Sequence, residues 1–423
     1  MTRVLLEALV KIGLLMAGLI GAAAYLVLVE RKMAAWIQDR LGPNRVGIPL
    51  TRIRLFGLGQ PVADGVKFLF KEGLTPAHVD KFLYWVAPVA IFVAAVAVFA
   101  TIPFGNVVPP VMGGEPISLV VAPKLDVGMI YVFAVGSIAV YGVLLGSWAS
   151  NNKYSFFGGL RSGAQLVSYE LPMGLGLLGV VLMSGSLRLD KIIAEQAGLA
   201  GSPPVWNFFV QPLGFVVFVV AAYAEAGRLP FDLPEAEQEL VGGYHTEYSG
   251  IKLMMYLVAE FLHMITAAFL IVILFLGGWH FWGLPGGELV QDSSGQWIEA
   301  VTWPVAVLRV AVLLAKVMAV ILFFMLSRWS WPRFRFDQLM SVAWKVMLPL
   351  GLVNVVAVAA WVEYGDRLEA ALGVPKMLLL GVLGWAVLLL SWLVLAWADP
   401  TTTNNRPLRW PSEALTPEDR NGY

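Results

Sequence analysis

The stretch MMYLVAEFLHMITAAFLIVILFLGG, residues 254–278, decides the fold of this chain. A helix of this length, rising about 1.5 Å per residue, is long enough to cross a hydrocarbon core of about 30 Å. Glu260 and His263 are the side chains within it that ionise in the acidic to neutral pH range. The stretch therefore predicts a membrane-spanning helix that carries two titratable groups in its first half.

Similar apolar runs recur along the rest of the chain. Hydrophobic residues make up 58% of the 423 positions and charged residues 14%, against about 25% charged in a typical soluble domain. We therefore predict an all-α polytopic membrane protein with about nine transmembrane helices. The other eight predicted spans are Val4–Val29, Phe82–Ile102, Val127–Trp148, Gln165–Met183, Trp206–Tyr223, Val305–Leu326, Val346–Val362 and Leu378–Ala398.

The predicted spans place the positive charges unequally on the two sides of the membrane. One side, which we call the basic side, holds loops 30–81, 149–164, 224–253 and 327–345 and the tail 399–423. It carries twenty of the 29 Lys and Arg residues, which predicts a cytoplasmic location for it. We expect residues 1–398 to form a single membrane domain, with structured cytoplasmic loops and a polar, disordered tail.

Residues 59–72 predict a further helix that does not span the membrane. Val62, Val66 and Leu69 share one helical face, while Asp64 and Lys67 lie elsewhere. This pattern is typical of an amphipathic helix at the membrane interface. The chain has no cysteine, so it has no thiolate ligands for an iron-sulfur cluster, and we expect it to bind no cofactor or metal alone.

The loop after the fifth span is unusually acidic for the basic side. Asp232 could cap a helix whose third residue, Glu235, completes a capping box. Glu235 and Glu239 are four residues apart and repel each other on one helical face, which capping does not require. Repulsion and burial both raise carboxyl pKa values, so we favour a role in proton handling over helix capping alone. The six acids are Glu225, Asp232, Glu235, Glu237, Glu239 and Glu247.

Other ionisable residues fall within or beside the predicted spans, where such groups usually line polar pathways. Glu170 and Glu260 extend the acidic set, Lys316 is a further relay candidate, and Lys11 fits an ion pair or a relay equally well. Glu260 and His263 form one Glu-x-x-His motif, but di-iron bundles need two copies and two more glutamates. A metal site is therefore disfavoured.

Several segments in this order resemble one family: the H subunit of the bacterial respiratory NADH:quinone oxidoreductase (complex I), similar to mitochondrial NADH dehydrogenase subunit 1. The likeness covers nearly the whole chain. The segments that carry it are ERK (30–32), RLGPNRVG (40–47), QPVAD (60–64), NKYS (152–155), SYE (168–170), PFDLPEAEQEL (230–240) and GYHTEYS (243–249).

The resemblance implies a subunit that borders a quinone chamber in a multi-subunit complex of the bacterial plasma membrane. Quinone would be the substrate, FMN and iron-sulfur clusters would belong to partner subunits, and no nucleic acid would bind. Arg31, Arg45 and Asp64 match positions near the quinone entrance and tunnel. The matching carboxylates would carry charge or protons towards the membrane arm: Glu170, Glu225, Glu235, Glu237, Glu239 and Glu260.

Two departures from the family pattern stand out. Ser137 replaces a glutamate that some members have in the third span, and a hydroxyl can order water but cannot carry charge. The ninth span exceeds the common eight. The alternatives are the related subunit of an energy-converting hydrogenase, a stand-alone cation/proton antiporter, which would need broken helices and repeats, and a membrane anchor with dispensable buried charges.

Overall fold

The computed structural model describes most of the chain outside the tail. The described residues are 2–47, 56–105, 117–123, 125–198, 204–233, 240–282, 284, 288–291, 297–374 and 376–397. The predicted disordered tail, 399–423, lies outside them.

Long helices build the described part of the chain. Two of them are extended by other turns: α3 by the 3₁₀ turn Val98–Ala100, and α11 by the π-helical turn Val342–Met347, which leads into α12. The helices are α1 Thr2–Ile37, α2 Gln60–Phe70, α3 Lys81–Ala97, α4 Gly128–Ala149, α5 Lys153–Ser184, α6 Leu189–Gln196, α7 Asn207–Val210, α8 Pro212–Glu225, α9 Gly250–Phe275, α10 Trp303–Ser330, α11 Phe336–Ser341, α12 Leu348–Leu372 and α13 Lys376–Trp397.

The prediction of an all-α polytopic membrane protein is confirmed. Eight helical segments of the described chain are long and apolar enough to cross a membrane, and α8 is a shorter apolar helix. The fifth predicted span, Trp206–Tyr223, is not one continuous helix, because it breaks at Gln211 between α7 and α8. A short antiparallel hairpin, in which Glu288 pairs with Ala300, was not predicted.

The amphipathic helix at residues 59–72 is present as α2, and it has no buried residue. The side chain of Val62 is 64% exposed, which is expected when an interfacial helix turns its apolar face towards lipid. Two of the predicted spans belong to helices that extend well past the apolar run on the basic side. Helix α1 continues to Ile37 and α5 begins at Lys153, twelve residues before the run that predicted it.

Helix α9, which contains the stretch that decides the fold, lies at the centre. Between Phe261 and Phe275 every side chain except that of His263 is buried. It packs against α1, α3, α8 and α10. Because α9 is surrounded by protein, Glu260 and His263 are placed in the interior and not at the lipid surface.

The loops of the basic side meet at one end of the helices. The backbone N–H of Asp80 donates to the Ala149 carbonyl, and Asn152 Nδ2 lies 2.5 Å from Glu247 Oε1. Gly158 allows the chain after the acidic loop to pack directly on α5, because a Cβ there would lie 2.7 Å from the Gly243 carbonyl carbon. The acidic loop is thus held against the helices that carry Glu170 and Glu260.

Candidate functional site: a row of buried ionisable groups

Three of the predicted carboxylates converge in the interior from three different helices. Glu170 comes from the middle of α5, Glu225 is the last residue of α8, and Glu260 lies in the first half of α9. Two neighbouring cavities connect them. The acids predicted from the sequence are therefore brought together by the fold, although they are 35 to 90 positions apart along the chain.

The first cavity has a volume of about 30 Å³ and is lined by Glu170, Glu225 and His263, together with Thr266. The second has a volume of about 70 Å³ and is lined by Glu225, His263 and Glu260. A buried water needs roughly 10–15 Å³ and several polar partners. Both cavities exceed this minimum, so each has room for water beside its ionisable groups.

Glu225 and His263 occupy the central position, since each lines both cavities. Glu170 lies on the first cavity and Glu260 on the second. We refer to Glu170, Glu225, His263 and Glu260 as the carboxylate row. From the sequence, His263 was discussed only as part of a possible metal-binding motif. Its position one helical turn after Glu260 is the signal that could have predicted its place in the row.

Ser137 is a direct partner of the carboxylate row. Its hydroxyl oxygen lies 2.6 Å from Glu170 Oε1 and 2.8 Å from the Phe133 carbonyl. The hydroxyl can donate to the carboxylate and fix its orientation. Ser137, at the position that the resemblance marked for an acid, therefore makes a specific contact between α4 and α5.

Arg228 links the basic end of this row to the first helix. Its Nε lies 3.1 Å from Glu260 Oε1, and its Nη1 lies 3.3 Å from both carboxylate oxygens of Glu30. Arg328 also pairs with Glu30, and the Arg228 guanidinium lies 4.4 Å from the centre of the Phe261 ring. Arg228 and Glu30 are both nearly fully buried. Glu30 was named only as part of the ERK segment (30–32) and was given no predicted role.

The acidic loop is described except for residues 234–239. Asp232 lies 3.7 Å from Arg333, yet burial raises the pKa of Asp232 to about 6, with the positive charge of Arg333 opposing the shift. Glu235, Glu237 and Glu239 lie outside the described residues, so the proposed capping box and their relay role stay predictions.

The residues assigned to the quinone entrance fall into two places. Arg31 at the end of α1 lies 2.7 Å from Asp64 on α2, and Gln60 Nε2 donates to the other Asp64 oxygen at 3.0 Å. This contact anchors the interfacial helix to the first span. Arg45 is exposed on the extended segment that follows α1.

The two lysines considered as relay candidates have local partners. Lys316 donates to the carbonyls of Leu276, Gly278 and His280 at 2.6–3.0 Å, and its ammonium lies 4.2 Å from the Trp206 ring centre. These contacts stabilise the C-terminal end of α9. Lys11 pairs with Glu7 at 2.6 Å, one turn away on α1.

The fold and the site together define a polytopic helical membrane protein with a connected row of ionisable groups in its interior. Two of its local features, the Arg31–Asp64 contact and the docked acidic loop, involve the segments that carried the resemblance. Comparison with known proteins identifies the family. The family described as NADH dehydrogenase matches residues 10–359.

Three relatives illustrate the similarity. Form 1 of the NADH-quinone oxidoreductase H subunit of Geobacter metallireducens is 45% identical over 354 residues, which cover 84% of this chain and 95% of the relative. NADH-quinone oxidoreductase subunit 8 of Rhodothermus marinus is 44% identical, covering 80% and 92%. Form 1 of the H subunit of Cytophaga hutchinsonii is 40% identical, covering 80% and 91%. The chain belongs to the family of NADH-quinone oxidoreductase H subunits.

Proposed function

We propose that this chain is the membrane subunit of a proton-translocating NADH:quinone oxidoreductase that borders the quinone chamber and couples quinone reduction to proton transfer. The observation that carries the proposal is the carboxylate row, in which Glu225 and His263 join two cavities that Glu170 and Glu260 line separately. Ionisable groups at membrane depth that share hydrated space can exchange protons.

Quinone reduction would start the transfer beside the acidic loop. A change of charge or packing near Glu235, Glu237 and Glu239 would shift the protonation of Glu225, and from there that of Glu170 and Glu260. Arg228 supports this arrangement, because it connects the loop after α8 to Glu260 through an ion pair of 3.1 Å. The proposed relay does not need Lys316, whose three donors contact backbone carbonyls.

Quinone would enter from the bilayer between α1 and α2, with Arg31, Asp64 and Arg45 along its route. The exposed apolar face of α2 supports this proposal, since it offers an apolar surface at lipid level beside the first span, which an isoprenoid tail could contact. The Arg31–Asp64 ion pair sets the position of that helix.

Replacing Asp64 with asparagine should therefore loosen the entrance. We expect the KM for quinone to rise about fivefold with kcat unchanged, the equivalent of about 1 kcal/mol for a partly exposed ion pair. Steady-state quinone reduction by membranes measures both constants. The control is Asp337→Asn, which removes an exposed ion pair to Arg335 at 3.3 Å. An unchanged KM in Asp64→Asn would contradict the entrance assignment.

The proposal places the chain in a multi-subunit complex of the bacterial plasma membrane, with the basic-side loops in the cytoplasm. FMN and iron-sulfur clusters would belong to partner subunits, in agreement with the absence of cysteine here. The rivals remain the membrane subunit of a hydrogenase and a cation/proton antiporter. The break in the fifth span is a feature expected of ion carriers, so the rivals must be separated by experiment.

Purification of the native complex in a mild detergent separates these functions. We expect the chain to copurify with flavin and iron-sulfur absorption and with inhibitor-sensitive NADH:quinone activity. Hydrogen-dependent reduction without NADH activity would instead identify the hydrogenase. Isolation of the chain alone, with cation-driven proton exchange in vesicles, would identify the antiporter, and either result would overturn the proposal.

A further inference from the structure

The last span, α13, lies beyond residue 359, where the family match ends. The Geobacter relative is matched over 95% of its length by 84% of this chain, so this chain is the longer of the two. We propose that the surface formed by α7, the start of α8 and α12 is a helix-docking site, and that α13 is its occupant. Docked there, α13 covers the break in the fifth span.

The break leaves backbone groups in need of a partner. Gln211 leaves the helical conformation, with φ −127° and ψ 62°, and Pro212 begins α8. Because proline has no N–H, the start of α8 cannot continue the hydrogen-bond pattern of α7, whose last two residues are Phe209 and Val210. Backbone polar groups in a hydrocarbon environment must be satisfied within the protein. A broken span therefore needs a neighbour that contacts its carbonyls.

Helix α13 makes these contacts with its backbone and one side chain. Trp385 Nε1 donates to the Phe209 carbonyl at 3.2 Å. A Cβ at Gly384 would lie 2.5 Å from the Val210 carbonyl oxygen, and one at Gly381 would lie 3.4 Å from that of Phe209. Two glycines one turn apart thus let α13 approach the exposed carbonyls, which is the packing that small residues permit between membrane helices.

Apolar contacts extend the docking along the same face of α13. Leu380 is 3% exposed and is packed in one cluster with Val210 and Trp361. Further along, Val387 and Leu388 pack against the cluster of α8 that contains Leu213. These contacts join α13 to α7, α8 and α12 at once.

The opposite face of α13 makes no comparable contact within the described chain. Val382 is 62% exposed and Trp392 is 66% exposed. An apolar helix with one packed face and one bare face suits a position at the edge of the protein, between the broken span and lipid. The bare face also supplies control positions for an experiment.

Crosslinking in the assembled complex tests the docking, and the chain is suited to it because it has no cysteine of its own. A protease site is inserted after Gly373, and Val210→Cys is combined with Leu380→Cys. A short bifunctional thiol reagent should then join the two fragments after cleavage. The control pair, Val210→Cys with Val382→Cys, should give at least about tenfold less product, because Val382 points away. Equal yields, or no product from the first pair, would overturn the proposal.

Substitution of the close-approach glycine gives a second measurement. In the cleaved complex, the fragment that contains α13 should stay bound during size-exclusion chromatography. Gly384→Leu should increase its release about tenfold, because overpacking against Val210 costs docking energy, whereas Val382→Leu should not. Complete release of the unsubstituted fragment, or equal retention of Gly384→Leu, would contradict the docking. Neither readout depends on NADH oxidation or proton pumping.

Discussion

Replacing Glu225 with glutamine is expected to reduce the protons pumped per NADH oxidised by about tenfold or more, while the amount of assembled complex stays unchanged. Glutamine keeps the size and hydrogen-bonding capacity of the side chain but cannot bind and release a proton. Glu225 is the one carboxylate of the row that lines both cavities, so its loss leaves His263 as the only member of the row that can pass a proton between them. Pumping by inverted vesicles, with NADH oxidation measured in parallel, gives the ratio.

Two further variants make this result specific. Glu260→Gln should also reduce the ratio of protons pumped to NADH oxidised, because Glu260 is the carboxylate that shares the second cavity with Glu225. Glu195→Gln is the matched control: burial raises the pKa of Glu195 to about 7, yet Glu195 lies on α6 and lines neither cavity. Undiminished pumping in both Glu225→Gln and Glu260→Gln would contradict the relay assignment. An equal loss of pumping in Glu195→Gln would show that the effect is not specific to the carboxylate row.

The spans were predictable because hydropathy reports the part of each helix that lipid must solvate. Hydropathy underestimated the length of helices whose polar residues face other parts of the protein. Helix α5 begins at Lys153, twelve residues before the apolar run, since Ser155 donates to the Tyr244 carbonyl and Gln165 to those of Ala224 and Phe231. Those acceptors belong to segments that are distant in the sequence, so no local pattern could predict these hydrogen bonds.

The break in the fifth span shows a different limit. An apolar run from Trp206 to Tyr223 predicts one helix, and the Gln211–Pro212 pair is the local signal that argues against it. Proline is tolerated in the first turn of a helix, so it fits the start of α8. Whether such a pair breaks a span depends on what can cover the freed carbonyls, which here is the distant α13.

The sequence was sufficient to predict the acids of the candidate site but not the ion pairs and cavities that join them. Glu170, Glu225 and Glu260 were recognisable as acids at membrane depth, and the fold brings them together. Glu30 was missed, because an acid next to Arg31 at the end of an apolar run is usually solvated. Its burial depends on Arg228, 198 positions away, a pairing that only the tertiary fold defines.

Arg228 is expected to be the charged residue whose removal most destabilises the complex. It is nearly fully buried and contacts two carboxylates, those of Glu30 and Glu260. Removing one partner of a buried ion pair leaves an uncompensated charge and costs about 3–5 kcal/mol. Arg228→Met, which keeps much of the apolar volume, should therefore lower the thermal unfolding midpoint of the purified complex and the amount that assembles.

The double variant Arg228→Met with Glu260→Gln identifies the physical cause. If the cost comes from an unpaired carboxylate, neutralising Glu260 should restore part of the lost stability, and the two effects should not add. Restoration should be incomplete, because Glu30 keeps only Arg328 as its ion-pair partner among the described residues. Arg335→Met is the control, since it removes an exposed ion pair with Asp337 and should change stability little. Equal effects of Arg228→Met and Arg335→Met would show that the buried pairing does not hold the acidic loop on the carboxylate row.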